Sequence, residues 1–289
     1  RLPAAGPRPV VFAGNAPADV RENEVLQALL AVGTAQVPPA ARIWLGAPNA
    51  IKGPTAAVFS RRSGSNLLLV GQRDEPALAL LSIALISLAA QYPVGAIRLV
   101  VIDSSPPGSP EKEFLAQVIR CIRHEVTVAR GTEIAPLLNR LAEDLNARAD
   151  STDSTQVNCA PVTYLFIHGL QRLKKLRYEE DFGLASDDAG AVAHPGRQLH
   201  ELICEGPSRD LHVVAFCDRY NNVCRFLSRK ALSEFELRVL FQMSANDSAS
   251  LIDSPKASEL GLHRALFYNE QEGSLEMFRD GFPGEVKNL

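Results

Sequence analysis

A glycine that closes an apolar run, a charged turn and then a long helical pattern are the ingredients of a phosphate-binding loop. Residues 66–91, NLLLVGQRDEPALALLSIALISLAAQ, have that layout. In a working loop, G-x-x-x-x-G-K-S/T, backbone N–H groups wrap the phosphates, the lysine neutralises them and the hydroxyl holds magnesium. Counted from Gly71, the matching positions hold Gly71, Pro76, Ala77 and Leu78, with Gln72, Arg73, Asp74 and Glu75 between them. The second glycine is thus a proline, which removes an N–H donor; Ala77 stands where the lysine belongs and Leu78 where the hydroxyl belongs. Asp74 and Glu75 put two negative charges where a phosphate would lie. These changes agree with one another. Pro76 suits the first position of a helix, and Asp74 or Glu75 can cap its free N–H groups and complement its positive end. The loop is expected to satisfy itself from within the chain, with no resident cofactor and ATP bound weakly at most.

A second stretch, TYLFIHGLQRLKKL at 163–176, is an apolar strand that in a phosphate-loop ATPase would end in the acidic residues serving magnesium and water. Here it ends in His168 and Gly169, which cannot replace carboxylates. A strand followed by His-Gly also fits an oxyanion hole of an α/β-hydrolase, but that chemistry needs a G-x-S-x-G elbow. The nearest strings, GLASD at Gly183 and GPSRD at Gly206, lack the second glycine. Basic side chains gather at Arg172, Lys174, Lys175 and Arg177, and again at Arg225, Arg229 and Lys230, with Arg61 and Arg62 ahead of the first sheet strand. A solvated helical face is the simpler reading of such groups and a phosphate-backbone contact the alternative.

Positioning these residues requires a sheet. Short apolar runs bounded by turn residues predict strands at 66–70, 97–102, 162–167, 211–216 and 237–243. Helical patterns at 76–92, 111–123, 133–149, 197–205 and around 248–253 alternate with them. Strands apolar on both faces, alternating with helices, predict an α/β fold: a mostly parallel twisted sheet covered on two sides. RALFY and GSLEMFR, at 264–268 and 273–279, predict a terminal β-hairpin. Residues 1–60 read as a linker and lead-in segment packing on a core that runs from 61 to 289. Within the lead-in, PVVFAGN at 9–15 is an early strand, 22–32 a helix and RIWLGAP at 42–48 a further strand. Loops are expected at 103–110, 150–161 and 183–195.

Composition narrows the classes. With 46% hydrophobic and 22% charged residues over 289 positions, the chain has the balance of a globular domain. A net charge of −3 supplies no general attraction to nucleic acid. Five cysteines without C-x-x-C spacing read as reduced, mostly buried thiols of a cytoplasmic protein. Residues 76–97 carry no charge over about the length of a bilayer span. Pro93 and Gly95 interrupt them, so a helix buried inside the core is expected and no direct membrane span. The opening, RLPAAGPRP, reads as the start of a piece of a longer polypeptide.

Taken together, these stretches resemble the P-loop motor domain of the FtsK/SpoIIIE family, which includes DNA translocases and type VII secretion motors. WLGAPNAIKGPTAAVF and SNLLLVG resemble the family's lead-in to its phosphate loop, and IRLVVIDSS its second sheet strand. YLFIHGLQRL stands where the acidic strand end belongs. LHVVAFCDRYNNV is similar to the strand whose polar residue senses the terminal phosphate, with Cys217 and Asp218 in place of its Thr-Gln pair and Arg219 matching. In the stretch from Glu236, Arg238, Asp247, Ser248, Leu251 and Gly261 fall on family positions.

The resemblance implies a RecA-like P-loop NTPase core with a C-terminal β-hairpin, derived from ring-forming, ATP-driven motors. It also makes Gly71–Leu78, His168, Gly169, Asp218 and Arg238 vestigial nucleotide-site positions. Since loop lysine, magnesium hydroxyl, strand-end acids and sensor glutamine are all lost together, a degenerate, non-hydrolysing module is expected. Its partners would be neighbouring ATPase modules and a protein or peptide substrate, with DNA reached through the parent protein. The alternative is a translocase subunit that still binds nucleotide and DNA, with Arg238 acting across a subunit interface.

Overall fold

Strands whose side chains are apolar on both faces can be stable only between two layers of helices, and the central strands here are of that kind. In β3 (Leu67–Val70) and β7 (Leu211–Cys217) every residue is buried. The computed structural model describes residues 16–34, 36–150, 160–179 and 194–281. Within these, ten strands form one sheet in the order β2-β1-β10-β9-β8-β3-β7-β6-β4-β5. The parallel part comprises β8 (Leu237–Leu240), β3, β7, β6 (Val162–His168), β4 (Ile97–Asp103) and β5 (Val126–Ala129). An antiparallel wing follows β8: β9 (Arg264–Asn269), β10 (Ser274–Asp280), β1 (Ala41–Pro48) and β2 (Thr55–Phe59). The C-terminal hairpin expected from sequence is β9–β10, and it forms the bridge between the parallel core and the lead-in strands.

Helices cover both faces. α2 (Asp74–Gln91) and α3 (Pro110–Cys121) pack on one face with Leu67, Leu69, Leu99 and Val101. On the other face lie α4 (Ile134–Asp150), α5 (Pro195–Glu205), α6 (Tyr220–Phe226), α7 (Arg229–Ser233) and α8 (Ala245–Ile252), against Leu68, Val70, Val100 and Ile102. This alternation of odd and even strand residues between two cores follows from the two-residue period of a strand. α1 (Glu24–Val32) sits outside α2, with Leu26 against Trp44 and Ala90. Among the described residues α2 alone has the length and apolarity of a bilayer span, and 72% of it is buried within the fold. Its Gln91 amide is spliced onto β1: it donates to the Arg42 carbonyl at 2.6 Å and accepts from the Arg42 N–H at 3.0 Å.

Several expectations shift. α2 begins at Asp74, two residues before Pro76, which therefore lies inside the first turn, where its missing N–H leaves no bond unmade. β2 and β5 were not expected, nor were α6 and α7. β8 ends at Leu240, three residues short of the expected 243, although the Phe241 N–H still donates to the Val70 carbonyl of β3. The early strand proposed at 9–15 lies outside the described residues, as do most of the loops at 150–161 and 183–195. Of the four described cysteines, all free, Cys121 and Cys224 are exposed, so these thiols are less buried than composition suggests.

Candidate functional site

The parallel strands deliver their C-terminal ends to one edge, and the expected site residues stand there in a row. β3 is flanked by β8 and β7, and β6 lies one strand beyond β7. Gly71 follows β3 and donates its N–H to the Cys217 carbonyl at the end of β7, 3.1 Å away. Asp218 is therefore its neighbour, while His168 and Gly169 end the next strand. The structure brings Gly71, Asp218 and His168 to a common edge, but Arg238 is turned away from it. Leu237 and Val239 face the core of α2, whereas Leu240 faces the opposite core. Arg238 shares that opposite face and donates to the Leu251 carbonyl and to Glu270, each at 2.6 Å, with Tyr268 under its guanidinium at 5.8 Å. It is only 9% exposed. Arg238→Met is expected to cost about 1–2 kcal/mol, chiefly because it leaves the buried Leu251 carbonyl without its donor, Glu270 being half exposed. A urea-midpoint shift measures this, and an unchanged midpoint would mean the guanidinium is free for another partner.

The turn at the head of α2 is short. Only Gly71, Gln72 and Arg73 separate β3 from the helix, and Asp74, Glu75 and Pro76 are already its first turn. Arg73 is the N-cap and has no side-chain capping bond. The carboxylates therefore do not cap the helix as expected. Asp74 is ion-paired with Arg172, which follows β6, and exposed Glu75 lies 3.8 Å from Arg73. The Asp74–Arg172 pair spans from the head of α2 to the connection after β6. Gly71 has no positive φ. What its position requires is closeness: a Cβ there would lie 2.6 Å from Cβ of Phe241.

Three strands from β3, an ionic cluster that the sequence does not single out closes the end of β4. Asp103 and His168 are register partners, both buried. The Asp103 carboxylate takes the Ser105 N–H at 2.9 Å and the Arg130 Nε at 2.9 Å, with His168 Nδ1 at 3.6 Å. Burial opposes ionisation of Asp103. The contacts from His168, Ser105 and Arg130 outweigh it and hold the carboxyl well below the usual carboxylate range. Ser105 Oγ lies 3.2 Å from His168 Nδ1, and the imidazole stacks on Phe216 at 5.9 Å. Ser104 Oγ donates to the His168 carbonyl at 2.6 Å. Gly169 adopts φ 75°, a left-handed turn that favours glycine. The signal for this cluster was present in the sequence as an aspartate ending an apolar strand, in IRLVVIDSS.

Asp218 accepts from the Asn222 amide at 2.7 Å at the start of α6. Burial pushes the Cys217 thiol up to about 12, so it is a neutral, packed group. No group of three or more metal-ligating side chains occurs among the described residues.

No protein-family model matches the sequence, and no characterised protein matches it. Solved structures do match in fold. The cytoplasmic domain of the type VII secretion ATPase EccC from Thermomonospora curvata superposes with TM-score 0.63 at 14% identity, over 92% of this chain and 32% of that one. The pCW3 conjugation coupling protein TcpA, a monomer with ATPγS, gives 0.64 at 14% identity, over 94% of this chain and 70% of that one. ATPases 2 and 3 of the T. curvata EccC, in complex with a signal sequence peptide, give 0.64 at 14% identity, over 96% and 45%. The chain thus spans about a third to a half of the secretion-ATPase chains it matches. The α/β architecture, the order of the parallel strands and these superpositions agree: the chain has the RecA-like fold of FtsK/SpoIIIE-type ATPase domains.

Proposed function

We propose that this domain is a non-hydrolysing ATPase-type module that serves as a structural or partner-docking part of a larger, cytoplasmic multi-ATPase motor. The observation that carries this reading is the three-residue turn between β3 and α2. A triphosphate is held by a longer loop whose successive N–H groups point inward, with a lysine and a hydroxyl behind them. Here Asp74 to Pro76 are coiled into the helix, Ala77 and Leu78 are buried in the core, and Asp74 is paired with Arg172. MgATP does not fit such a turn. Of the carboxylates at the strand ends, Asp218 accepts from the Asn222 amide and Asp103 is paired with Arg130. Membership of a larger motor rests on the multi-ATPase chains of like fold, and peptide docking on the signal sequence peptide bound by one of them.

Titration calorimetry and phosphate release with MgATP test the reading on the purified chain. No turnover is expected, and no magnesium-dependent heat. Turnover that scales with protein would overturn it. So would micromolar, magnesium-dependent binding that survives reversal of Lys174 and Lys175 to glutamate, since those residues are not part of the turn.

A further inference from the structure

A parallel sheet opens a crevice wherever two adjacent strands send their following helices to opposite faces. Such places lie on both sides of β3 and of β4, whose helices α2 and α3 share one face while the helices after β7, β8, β6 and β5 lie on the other. β3 leads to α2 on one face while its neighbour β7 leads to α6 on the other, and the short turn at Gly71 belongs to that crevice. β4 leads to α3 while its neighbour β6 leads to α5, again on opposite faces. Outside the ends of β4 and β6 the crevice is open, a cavity of about 820 Å³. That lies within the range of small-molecule sites, roughly 300–1,000 Å³.

Its lining is strongly one-signed. Lys112, Arg130, Arg172, Lys174 and Lys175 converge on it from the connections after β4, β5 and β6. Arg130 is balanced by Asp103 and Arg172 by Asp74. Among the described residues no carboxylate is paired with Lys112, Lys174 or Lys175. Of the nearby acids, Glu133 accepts the Arg130 N–H at 3.1 Å, and Glu111 is under the influence of the Arg172 charge. Lys112 stands in the first turn of α3, where the helix dipole disfavours a cation. Hydroxyls of Ser104, Ser105 and Thr132 lie among these charges, and Gly131 to Ile134 present the head of α4. The remaining wall is apolar, with Ile134, Ala135, Leu173 and Leu176.

We propose that this second crevice, between the ends of β4 and β6, binds a nucleotide-sized phosphate ester through Lys112, Lys174, Lys175 and the hydroxyl-lined head of α4. Three ammonium groups converging in one concave space match the charge density of a polyphosphate, whereas a peptide's single carboxylates would leave cations unpaired. The apolar wall offers a surface for the rest of the ester. The proposal stands independently of the proposed function, because it uses neither the Gly71 turn nor magnesium.

The test is calorimetry of the whole chain with inorganic tripolyphosphate in EDTA at low salt, alongside amide NMR of Gly131 to Ile134. Binding is expected that weakens with salt, shifts those amides and falls by at least about tenfold in Lys174→Glu/Lys175→Glu. Both lysines are exposed, so the variant should keep its melting temperature; if it does not, Lys112→Glu replaces it with the same expected loss. Arg229→Glu/Lys230→Glu should bind as the parent does. No binding at low salt, or binding indifferent to the crevice lysines, would overturn the proposal. Tighter binding of hexaglutamate than of tripolyphosphate at the same amides would also overturn it, in favour of an acidic peptide.

Discussion

Gly71→Val is expected to lower stability by about 3 kcal/mol and the melting temperature by roughly 5–10 °C, through overpacking alone. The glycine that looks like the first residue of a phosphate loop has ordinary backbone geometry and needs no left-handed φ. Its constraint is the ring of Phe241, whose Cβ would lie 2.6 Å and Cδ2 2.8 Å from an added Cβ. Phe241 is itself fixed, since its N–H donates to the Val70 carbonyl at 2.9 Å and its side chain is buried in the core of α2. Neither partner can retreat cheaply. Phe241→Ala alone should also destabilise, by about 3 kcal/mol, through a cavity. Combined, the two changes should cost clearly less than their sum, because the valine methyls enter space the ring has vacated. Strict additivity in urea unfolding would sink the packing explanation and return Gly71 to the role of ligand-approach glycine.

Asp103→Asn should cost a comparable amount, about 3 kcal/mol at pH 7. This allows for the partial exposure of Arg130, which screens its half of the pair. The amide keeps the volume but removes the charge that Arg130 answers. pH separates the two terms. The folded-state pKa of Asp103 lies below the unfolded value of about 3.9, so its contribution is fully present above that value. It is lost as pH falls from about 4 toward the folded pKa, when the wild-type carboxyl is protonated too. The difference between the two proteins should therefore be largest at pH 5–7 and shrink toward pH 2. A gap that stays constant across that range would show that shape rather than charge is what the variant lacks.

The parallel core was legible because β3, β4, β6, β7 and β8 are buried on both faces and so read as uninterrupted apolar runs. β5, VTVA, is an edge strand with three half-buried residues, and β2, TAAVF, is the opposite edge with small side chains. Neither has the hydrophobic length that marks a strand on its own, and the parallel ladder to β4 or the pairing with β1 is what defines them. The start of α2 was misplaced because proline is the strongest local marker of a helix opening, whereas Asp74 and Glu75 suit the first turn equally well. At the site, the residues that stand in place of a phosphate loop's second glycine, lysine and hydroxyl could be read position by position. The second crevice could not, since Lys112 and Arg130 are far in sequence from Lys174 and only the order β6-β4-β5 brings them together. Arg238 misled for the converse reason: its alignment with a family arginine says nothing about which sheet face it occupies.

The position of β10 between β9 and β1 has a consequence in time. Gly46 to Pro48, near the beginning of the chain, find their sheet partners in Phe278 to Asp280. A ribosome that has produced the β1–β2 pair must add nearly all the rest of the domain before that pair can join the sheet. At about 5–20 residues per second the wait is on the order of tens of seconds. During it the inner edge of β1, with Trp44 beside it, remains open to any other strand that offers itself. A second copy of the domain emerging from the same polysome would meet that edge first. Joining the two ends by circular permutation, so that β1 follows β10 directly, would close it as soon as the hairpin forms.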